Sequence, residues 1–312
     1  LLHNSSGKIP GLKEAILQEN LAEYNGRWAW NMNTDFRSQR MIPSGIKCWP
    51  TANYSSYFGM ANGYPISDMS KSDTESGYDA THPWKGRDPR FYKTYVIDGE
   101  FCGTSGIGET AMLYTGGADR EKANPQKGCY TGLMNAKLCL KSVNNANVRD
   151  TYFFVLSLMR LADVYLMYSE ATAVGYGVKT GTSQFNMTAE QAINKIRERA
   201  GVADVNSKYV SDPHKFMDEI RRERAVELAF EGHRFNDLRR WVLLDKYPYN
   251  VKTSQEFQRV GNINPTDPTL DAVSGFKEVQ ILKRDFSAKH YWLPLKKADT
   301  QLYVGFDQNP EW

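Results

Sequence analysis

The sequence predicts a mostly α-helical protein in which helix pairs carry long irregular insertions and a few short strands. Three observations indicate this class. Between residues 151 and 245, apolar residues recur at helical spacing. Start and stop signals for helices bracket those segments. From about 25 to 150, by contrast, turn-forming glycine, proline, serine and asparagine interrupt the chain.

The composition excludes several classes of protein. The 312 residues include 39 Lys plus Arg and 36 Asp plus Glu, and the net charge of +3 leaves no electrostatic footprint for nucleic acid. No apolar run approaches the roughly 20 residues of a membrane span. The chain begins without a signal peptide, so we expect a mature chain, a domain or a truncated form. The cysteines form no CxxC pair and are expected to be free thiols: Cys48, Cys102, Cys129 and Cys139.

The first 150 residues are predicted to be loop-rich, with one helix and one clear strand. A partial apolar stripe predicts a helix over 11–24. Residues 91–97 are aromatic and β-branched and predict a strand that ends at the turn Asp98–Gly99. Many of the aromatic side chains lie between Tyr24 and Tyr95. Long irregular stretches of this kind are often functional.

Helices are predicted in order from residue 154. Dense apolar spacing predicts a buried helix over 154–174. A capping box at Thr188 opens a second helix, which ends at Ala200 before Gly201. Asp212 and a following proline open a third helix that reaches about residue 231. A fourth covers about 232–241. These are two helix pairs, fewer than the roughly three repeats that a solenoid needs. Either other segments cover them, or part of the array is missing.

We therefore expect one domain with three parts. Residues 1–150 form a loop-rich, aromatic-rich region that presents the ligand-binding surface. Residues 151–245 form the helix pairs. Residues 246–312 form an irregular C-terminal region that packs on the helices.

Motifs for catalysis and cofactors are absent. The sequence has no Walker A motif, no HExxH and no GxSxG, so we predict no cofactor and no metal site. Paired carboxylates that hydrolyse a glycosidic bond would have to come from one acidic loop, which more simply forms a solvated turn: Asp68, Asp73, Glu75 and Asp79.

The charged residues of the last two helices recur at spacings of three and four. This spacing favours a structural network of ion pairs over an anion site. The residues are Arg221, Arg222, Glu223, Arg224, Glu227, Glu231, Arg234, Asp237, Arg239 and Arg240.

Several of these segments resemble one known family. The stretches that carry the resemblance are Asn62–Ile66, Trp84–Phe91, Arg160–Ala171 (RLADVYLMYSEA), Ala192–Val202, Ile220–Trp241 and Phe306–Trp312. They are similar, in this order, to motifs of the SusD/RagB family, the surface glycan-binding lipoproteins of Bacteroidetes. The resemblance covers about residues 60–312.

The resemblance implies a TPR-like scaffold of helix pairs and a non-catalytic role. Members are lipid-anchored on the outside of the outer membrane, where they capture oligosaccharides and pass them to a SusC-type TonB-dependent transporter. Members are also longer, so this chain resembles their C-terminal part, and any membrane association would run through a lipid anchor outside it. Two alternatives stay open: a scaffold or lid for the transporter without sugar affinity, and a glycoside hydrolase.

The resemblance and the aromatic content together suggest the residues of a glycan site. An aromatic ring can cover the C–H face of a sugar and leave the hydroxyls to polar side chains. Trp49 is the first candidate, and Tyr57 and Tyr54 follow, because their positions resemble aromatic contacts that the family places in this insertion. Asn53 is their nearest polar partner in sequence.

Other residues are weaker candidates for the site. Trp28, Trp30 and Trp84 complete the set of aromatic candidates. Trp28 and Trp30 are two residues apart, as on one face of a strand, and Trp84 lies in a family motif, so a role in packing the protein interior is favoured for all three. Further polar candidates are Arg40, Lys47 and Asp73. The remaining tryptophans, Trp241, Trp292 and Trp312, are expected in the core. The class of glycan, or even peptide, cannot be read from these residues.

Overall fold

The computed structural model describes residues 13–20, 36–42, 47–104, 106–121, 128–142 and 155–312. Helix exceeds strand in these ranges, which confirms the predicted fold class. The helices are α1 (Ala52–Ser55), α2 (Pro89–Thr94), α3 (Leu161–Gly175), α4 (Ala189–Ala200), α5 (Ser207–Val210), α6 (Pro213–Glu227), α7 (His233–Arg240) and α8 (Lys297–Thr300). The strands are β1 (Ala15–Asn20), β2 (Tyr95–Val96), β3 (Phe101–Thr104), β4 (Ile107–Thr110), β5 (Met134–Asn135), β6 (Val155–Arg160), β7 (Val251–Arg259) and β8 (Val273–Lys283).

The predicted start and end of the helix after Thr188 and the predicted helix start at Asp212 are confirmed. Thr188 and Gln191 form both halves of a capping box at the start of α4, and Gly201 ends it with φ 73°. Asp212 accepts hydrogen bonds from the backbone N–H groups of His214 and Lys215 at the start of α6. Helix α6 ends at Glu227, four residues earlier than expected.

The helices bury one shared apolar cluster. Leu166 of α3, Ile193 of α4 and Ile220 of α6 belong to it, and all are at most marginally exposed. Phe216 and Val210 fill the space towards α5. The predicted helix pairs therefore pack through their apolar stripes, as the 3.6-residue period requires.

Two helix predictions are wrong because distant segments pair as strands. In the predicted helix over 11–24, the described residues form β1, which pairs antiparallel with β6. The predicted helix over 154–174 consequently begins only at Leu161. Ile16 and Leu17 of the supposed stripe are 54% and 55% exposed, so the stripe is not buried. Pairing across the 134 residues that separate β1 from β6 leaves no signal in a local window.

The predicted strand over 91–97 is also largely wrong. Residues up to Thr94 form α2, and only Tyr95–Val96 form a strand, paired with β5. The Asp88 side chain caps α2 by accepting from the N–H of Arg90, and Pro89 occupies the first helical position. This start signal outweighs the β propensity of the following aromatic residues.

The C-terminal region was predicted to be irregular, but it contains regular secondary structure. Strands β7 and β8 form a long antiparallel hairpin. The Phe257 and Phe276 rings of this hairpin stack 5.9 Å apart, and Trp84 meets Phe257 at 5.2 Å. Phe58 and Val226 join the same buried cluster. All three predicted parts of the chain thus share one core.

The last two tryptophans are not core residues. Trp292 is 62% exposed and Trp312 44%. The indole N–H of Trp312 donates to the carbonyl groups of Lys289 and Trp292, which folds the tail on itself. Trp241 is half-buried, beside the Arg240 guanidinium. The prediction of core positions is therefore wrong for Trp292 and Trp312.

Candidate functional site

An aromatic cavity of about 410 Å³ lies where the segment before α1, the 135–138 segment and the turn between α6 and α7 meet. Its walls are mostly apolar, with one arginine. The lining residues are Phe36, Cys48, Trp49, Pro50, Tyr54, Asn135, Leu138, Phe230, Gly232, Arg234 and Phe235. Small-molecule sites combine apolar and aromatic walls with few polar groups in this way.

Trp49 forms one wall of the aromatic cavity. The ring is half-buried and packs on a buried cluster that includes Met41 and Ile42. Pro50 is buried and leads into α1. One part of the Trp49 side chain is thus fixed by packing while another part borders open space, which is the arrangement a stacking platform needs.

Tyr54 and Phe230 form a second wall. Their rings stack with centroids 5.5 Å apart and an interplanar angle of 29°. The Tyr54 hydroxyl donates to the carbonyl of Ala225 at 2.8 Å, and burial raises the pKa of Tyr54, so it stays neutral. Phe230 has φ 61°, a left-handed conformation that costs a non-glycine residue about 1–2 kcal/mol. Strain of this kind is often found at functional sites.

Tyr57 lies behind this wall. It meets Tyr54 edge to face at 5.6 Å, and the Arg234 guanidinium lies 4.8 Å from its ring centroid. Burial raises the pKa of Tyr57, and Arg234 opposes this shift. Tyr57 does not line the cavity itself. It supports two residues that do, Tyr54 and Arg234.

Asn53 anchors α1 instead of lining the cavity. Its backbone N–H donates to Thr253 Oγ1 at 2.8 Å, and its Nδ2 donates to the Val251 carbonyl at 2.8 Å. Both partners belong to β7. Asn53 was expected to contact the sugar, but these hydrogen bonds give it a role in positioning the aromatic wall.

Trp84 is a core residue, so its inclusion among the glycan contacts is corrected. It is 0% exposed and packs in the cluster around Phe257. A ring without exposed surface offers no face to a ligand. Trp28 and Trp30 lie outside the described residues.

The other polar candidates are occupied within the protein. Arg40 Nε donates to Asp119 at 2.9 Å. Lys47 Nζ donates to the Ile42 carbonyl at 3.2 Å. Asp73 accepts from backbone N–H groups in its own turn. None of the three lines the aromatic cavity.

A buried ion-pair network holds the turn that carries Phe230. Glu227 accepts from Arg90 at 2.8 Å and Arg160 at 2.5 Å, and Glu231 accepts from Arg160 Nε at 2.7 Å. Burial opposes ionisation of Glu227, but these guanidinium groups hold the pKa of its carboxyl well below the ordinary value. The structural network expected from the sequence is confirmed for these residues.

The acidic loop lies apart from the aromatic cavity. Asp79 accepts from His82 Nδ1 at 2.9 Å, and Asp68 and Asp73 accept from nearby backbone N–H groups. These are local turn interactions, as the sequence favoured. In the ranges that the structure describes, no aspartate or glutamate lines the aromatic cavity.

A second, larger cavity is less suited to a sugar. It measures about 1150 Å³ and lies between the 183–187 loop and α4. Phe185 is the single aromatic residue among its described lining residues, and most of the others are polar or charged. A sugar there would meet one ring at most, whereas the aromatic cavity offers several.

Among the cavity residues that were not predicted as site residues, three stand at the junction of α6 and α7. Phe230 was taken for part of a continuous helix, Arg234 was placed in the ion-pair network, and Phe235 was not singled out. The available signal was Gly232, with φ 88°, which separates the two helices and turns their ends towards Trp49. A helix break rich in aromatic residues can therefore indicate a site wall.

Comparison with known proteins identifies relatives. The chain matches the SusD family over residues 13–312. A curated relative, SusD-like protein P25 of Formosa agariphila, is 35% identical over 136 residues, which are 38% of this chain and 24% of the relative. A solved SusD-like protein from Bacteroides fragilis has a TM-score of 0.70 at 25% identity and covers 96% of this chain.

A second solved structure shares the fold. It is a SusD-like carbohydrate binding protein from Bacteroides fragilis, with a TM-score of 0.53 at 24% identity over 78% of this chain. The chain spans 54% and 44% of the two solved proteins, about half of their length. Within the described ranges, no helix combines the length and apolar character needed to cross a membrane.

Proposed function

Because the chain belongs to the SusD family, we propose that it captures oligosaccharides or polysaccharides at the outer surface of the cell without cleaving them. It then delivers them to a SusC-type TonB-dependent transporter. The carbohydrate-binding relative from Bacteroides fragilis supports the ligand class. Attachment to the outer membrane through a lipid anchor belongs to the same proposal.

The aromatic cavity is the observation that carries the proposal. Trp49, Tyr54, Phe230 and Phe235 surround a space of about 410 Å³, and Arg234 adds hydrogen-bond donors. Sugar rings present C–H faces and hydroxyl rims, so stacked aromatic walls with a few donors match them. Phe235 is 44% exposed and therefore accessible from solvent.

The lining supports capture rather than hydrolysis. Glycoside hydrolases place two carboxyl groups about 5–10 Å apart across the scissile bond. Among the described lining residues of the aromatic cavity there is no carboxylate. A sugar stacked on Trp49 would therefore meet no acid and base pair among these described residues.

A second candidate function is a scaffold or lid without sugar affinity. The C-terminal segment favours it, because it exposes apolar side chains that another polypeptide could cover. These are Trp292, Leu293, Leu302, Tyr303 and Val304. In this case specificity for the nutrient would reside in the transporter.

Calorimetric titration of the 312-residue chain with a panel of glycans, combined with a reducing-sugar assay, tests these alternatives. Saturable binding without released sugar supports the capture function. Release of sugar would establish a hydrolase and overturn the proposal. No binding to any glycan would favour the scaffold or lid.

A further inference from the structure

Three cations lie together beside the aromatic cavity. Lys252 lies in β7, directly opposite Leu282 of β8, and Arg284 lies two residues beyond Leu282. The Arg284 backbone N–H donates to the Asn250 carbonyl at 2.8 Å, so the pairing continues to this point. Since side chains alternate between faces, Lys252 and Arg284 share one face of the hairpin.

Arg234 joins this pair to the aromatic cavity. It lines the cavity, and its guanidinium lies 4.8 Å from the Tyr57 ring centroid and 5.5 Å from that of Tyr249. Desolvation, then Arg284, then Arg234 lower the pKa of Lys252 to about 8. The three groups therefore lie close enough to repel one another.

The cluster lacks an ion-pair partner among the described residues. In the part of the chain that the structure describes, none of Arg234, Lys252 and Arg284 makes an ion pair, whereas the buried Arg160 and Arg224 are each paired with two carboxylates or more. Glu278 lies nearby, but it accepts from Thr253 Oγ1 at 2.8 Å and burial raises its pKa. Titratable groups whose pKa is shifted by desolvation and by specific nearby charges, as that of Lys252 is, cluster at functional sites.

We propose that Arg234, Lys252 and Arg284 form an anion subsite next to the aromatic cavity, and that the captured glycan is acidic, with carboxylate or sulfate groups on its sugars. The inference rests on the proposed glycan-binding function. Aromatic rings such as Trp49 and Phe230 hold the sugar face, and the acidic substituent points towards Arg234. Guanidinium groups bind both carboxylate and sulfate oxygens through charge-assisted hydrogen bonds.

Titration with matched pairs of glycans tests the inference. The 312-residue chain is titrated with oligogalacturonides, oligoalginates and κ-carrageenan oligosaccharides. Each is compared with its methyl-esterified or desulfated neutral counterpart, and neutral storage and cell-wall glycans complete the panel. We expect at least one acidic glycan to bind about tenfold more tightly than its counterpart, the effect of one hydrogen-bonded charge. The uronate and sulfate arms identify the acidic group.

Two substitutions localise the effect. Lys252→Met and Arg284→Gln should each weaken binding of the acidic glycan several-fold and leave binding of its neutral counterpart unchanged. Lys283→Met is the matched control. It removes the same charge from the neighbouring position of β8, whose exposed side chain leaves the other face. Thermal unfolding verifies that each variant is folded.

The outcomes separate the inference from the proposed function. Equal affinity for acidic and neutral forms, or equal loss in Lys283→Met, would overturn the anion subsite while glycan capture stands. Absence of binding to every glycan in the panel would overturn both.

Discussion

The guanidinium carbon of Arg234 lies 4.8 Å from the centroid of the Tyr57 ring. This contact connects the aromatic segment around α1 with the first turn of α7, which are far apart in sequence. A cation above an aromatic ring is stabilised by the ring quadrupole. Tyr57 thus holds Arg234 at the edge of the aromatic cavity, which Arg234 lines.

Trp49→Ala should weaken glycan binding at least about tenfold without unfolding the protein, because it removes one wall of the aromatic cavity. Titration calorimetry with whichever glycan binds the parent chain measures the effect. Trp292→Ala is the matched control, since this indole is exposed on the tail. An unchanged affinity in Trp49→Ala would remove Trp49 from the site.

Trp84→Ala should destabilise the protein by about 3–5 kcal/mol, the usual cost of emptying a large buried aromatic site. Trp84 is 0% exposed and packs on Phe257 at 5.2 Å. Urea unfolding measures the loss. A stable Trp84→Ala protein with impaired glycan binding would show that the ring contacts ligand after all.

Glu227→Gln should lower the free energy of unfolding by about 3 kcal/mol at pH 7, because it removes one of the carboxylate partners of the buried Arg90 and Arg160 guanidinium groups. Glu75→Gln is the control, since Glu75 forms an exposed pair with Lys208. Chemical unfolding at pH 7 compares the variants. Equal stability of both would contradict a supporting role for the network.

Acid should destabilise the protein through the same network. Nearby guanidinium groups depress the pKa of Glu227 and Glu219 below the ordinary value of 4.5. A depressed carboxyl pKa stabilises the fold above the unfolded pKa, and this contribution is lost as pH falls below about 4.5. Unfolding measured from pH 7 to pH 3 should show the decline, and Glu227→Gln should show a shallower one.

Lys252→Met should stabilise the protein by about 1 kcal/mol at pH 7, because it removes a partly exposed but uncompensated cation. The pKa of Lys252 is about 8, below the ordinary 10.5, so the parent should gain stability as pH rises from 8 to 10.5. Thermal unfolding between pH 8 and pH 10.5 measures this gain in stability. If the parent and Lys252→Met respond equally to pH, Lys252 does not titrate there.

Local signals in the sequence were sufficient where the structure depends on neighbouring residues. The capping box at Thr188 and the Asp212–Pro213 start placed α4 and α6 correctly. These signals act within four residues, through hydrogen bonds to the first N–H groups of a helix. The sequence motifs also identified the SusD family.

Part of the candidate site followed from the sequence as well. Trp49 and Tyr54 line the aromatic cavity, and Tyr57 supports it. The cavity residues that face them could not be predicted from the sequence. Phe230 comes from the turn between α6 and α7, and Arg234 and Phe235 come from the first turn of α7. Their spacing in the sequence is equally compatible with packing or ion pairing.

The sequence by itself determined the helical class, the family, the helix starts and the aromatic segment, because each depends on residue type and short spacing. Tertiary structure alone decided the β1–β6 pairing, the β7–β8 hairpin, the burial of Trp84 and the exposure of Trp292. It also decided that, among the described residues, Arg234, Lys252 and Arg284 lie near one another without forming an ion pair. Strand pairing, burial and charge balance are relations between distant segments, and a local pattern does not contain them.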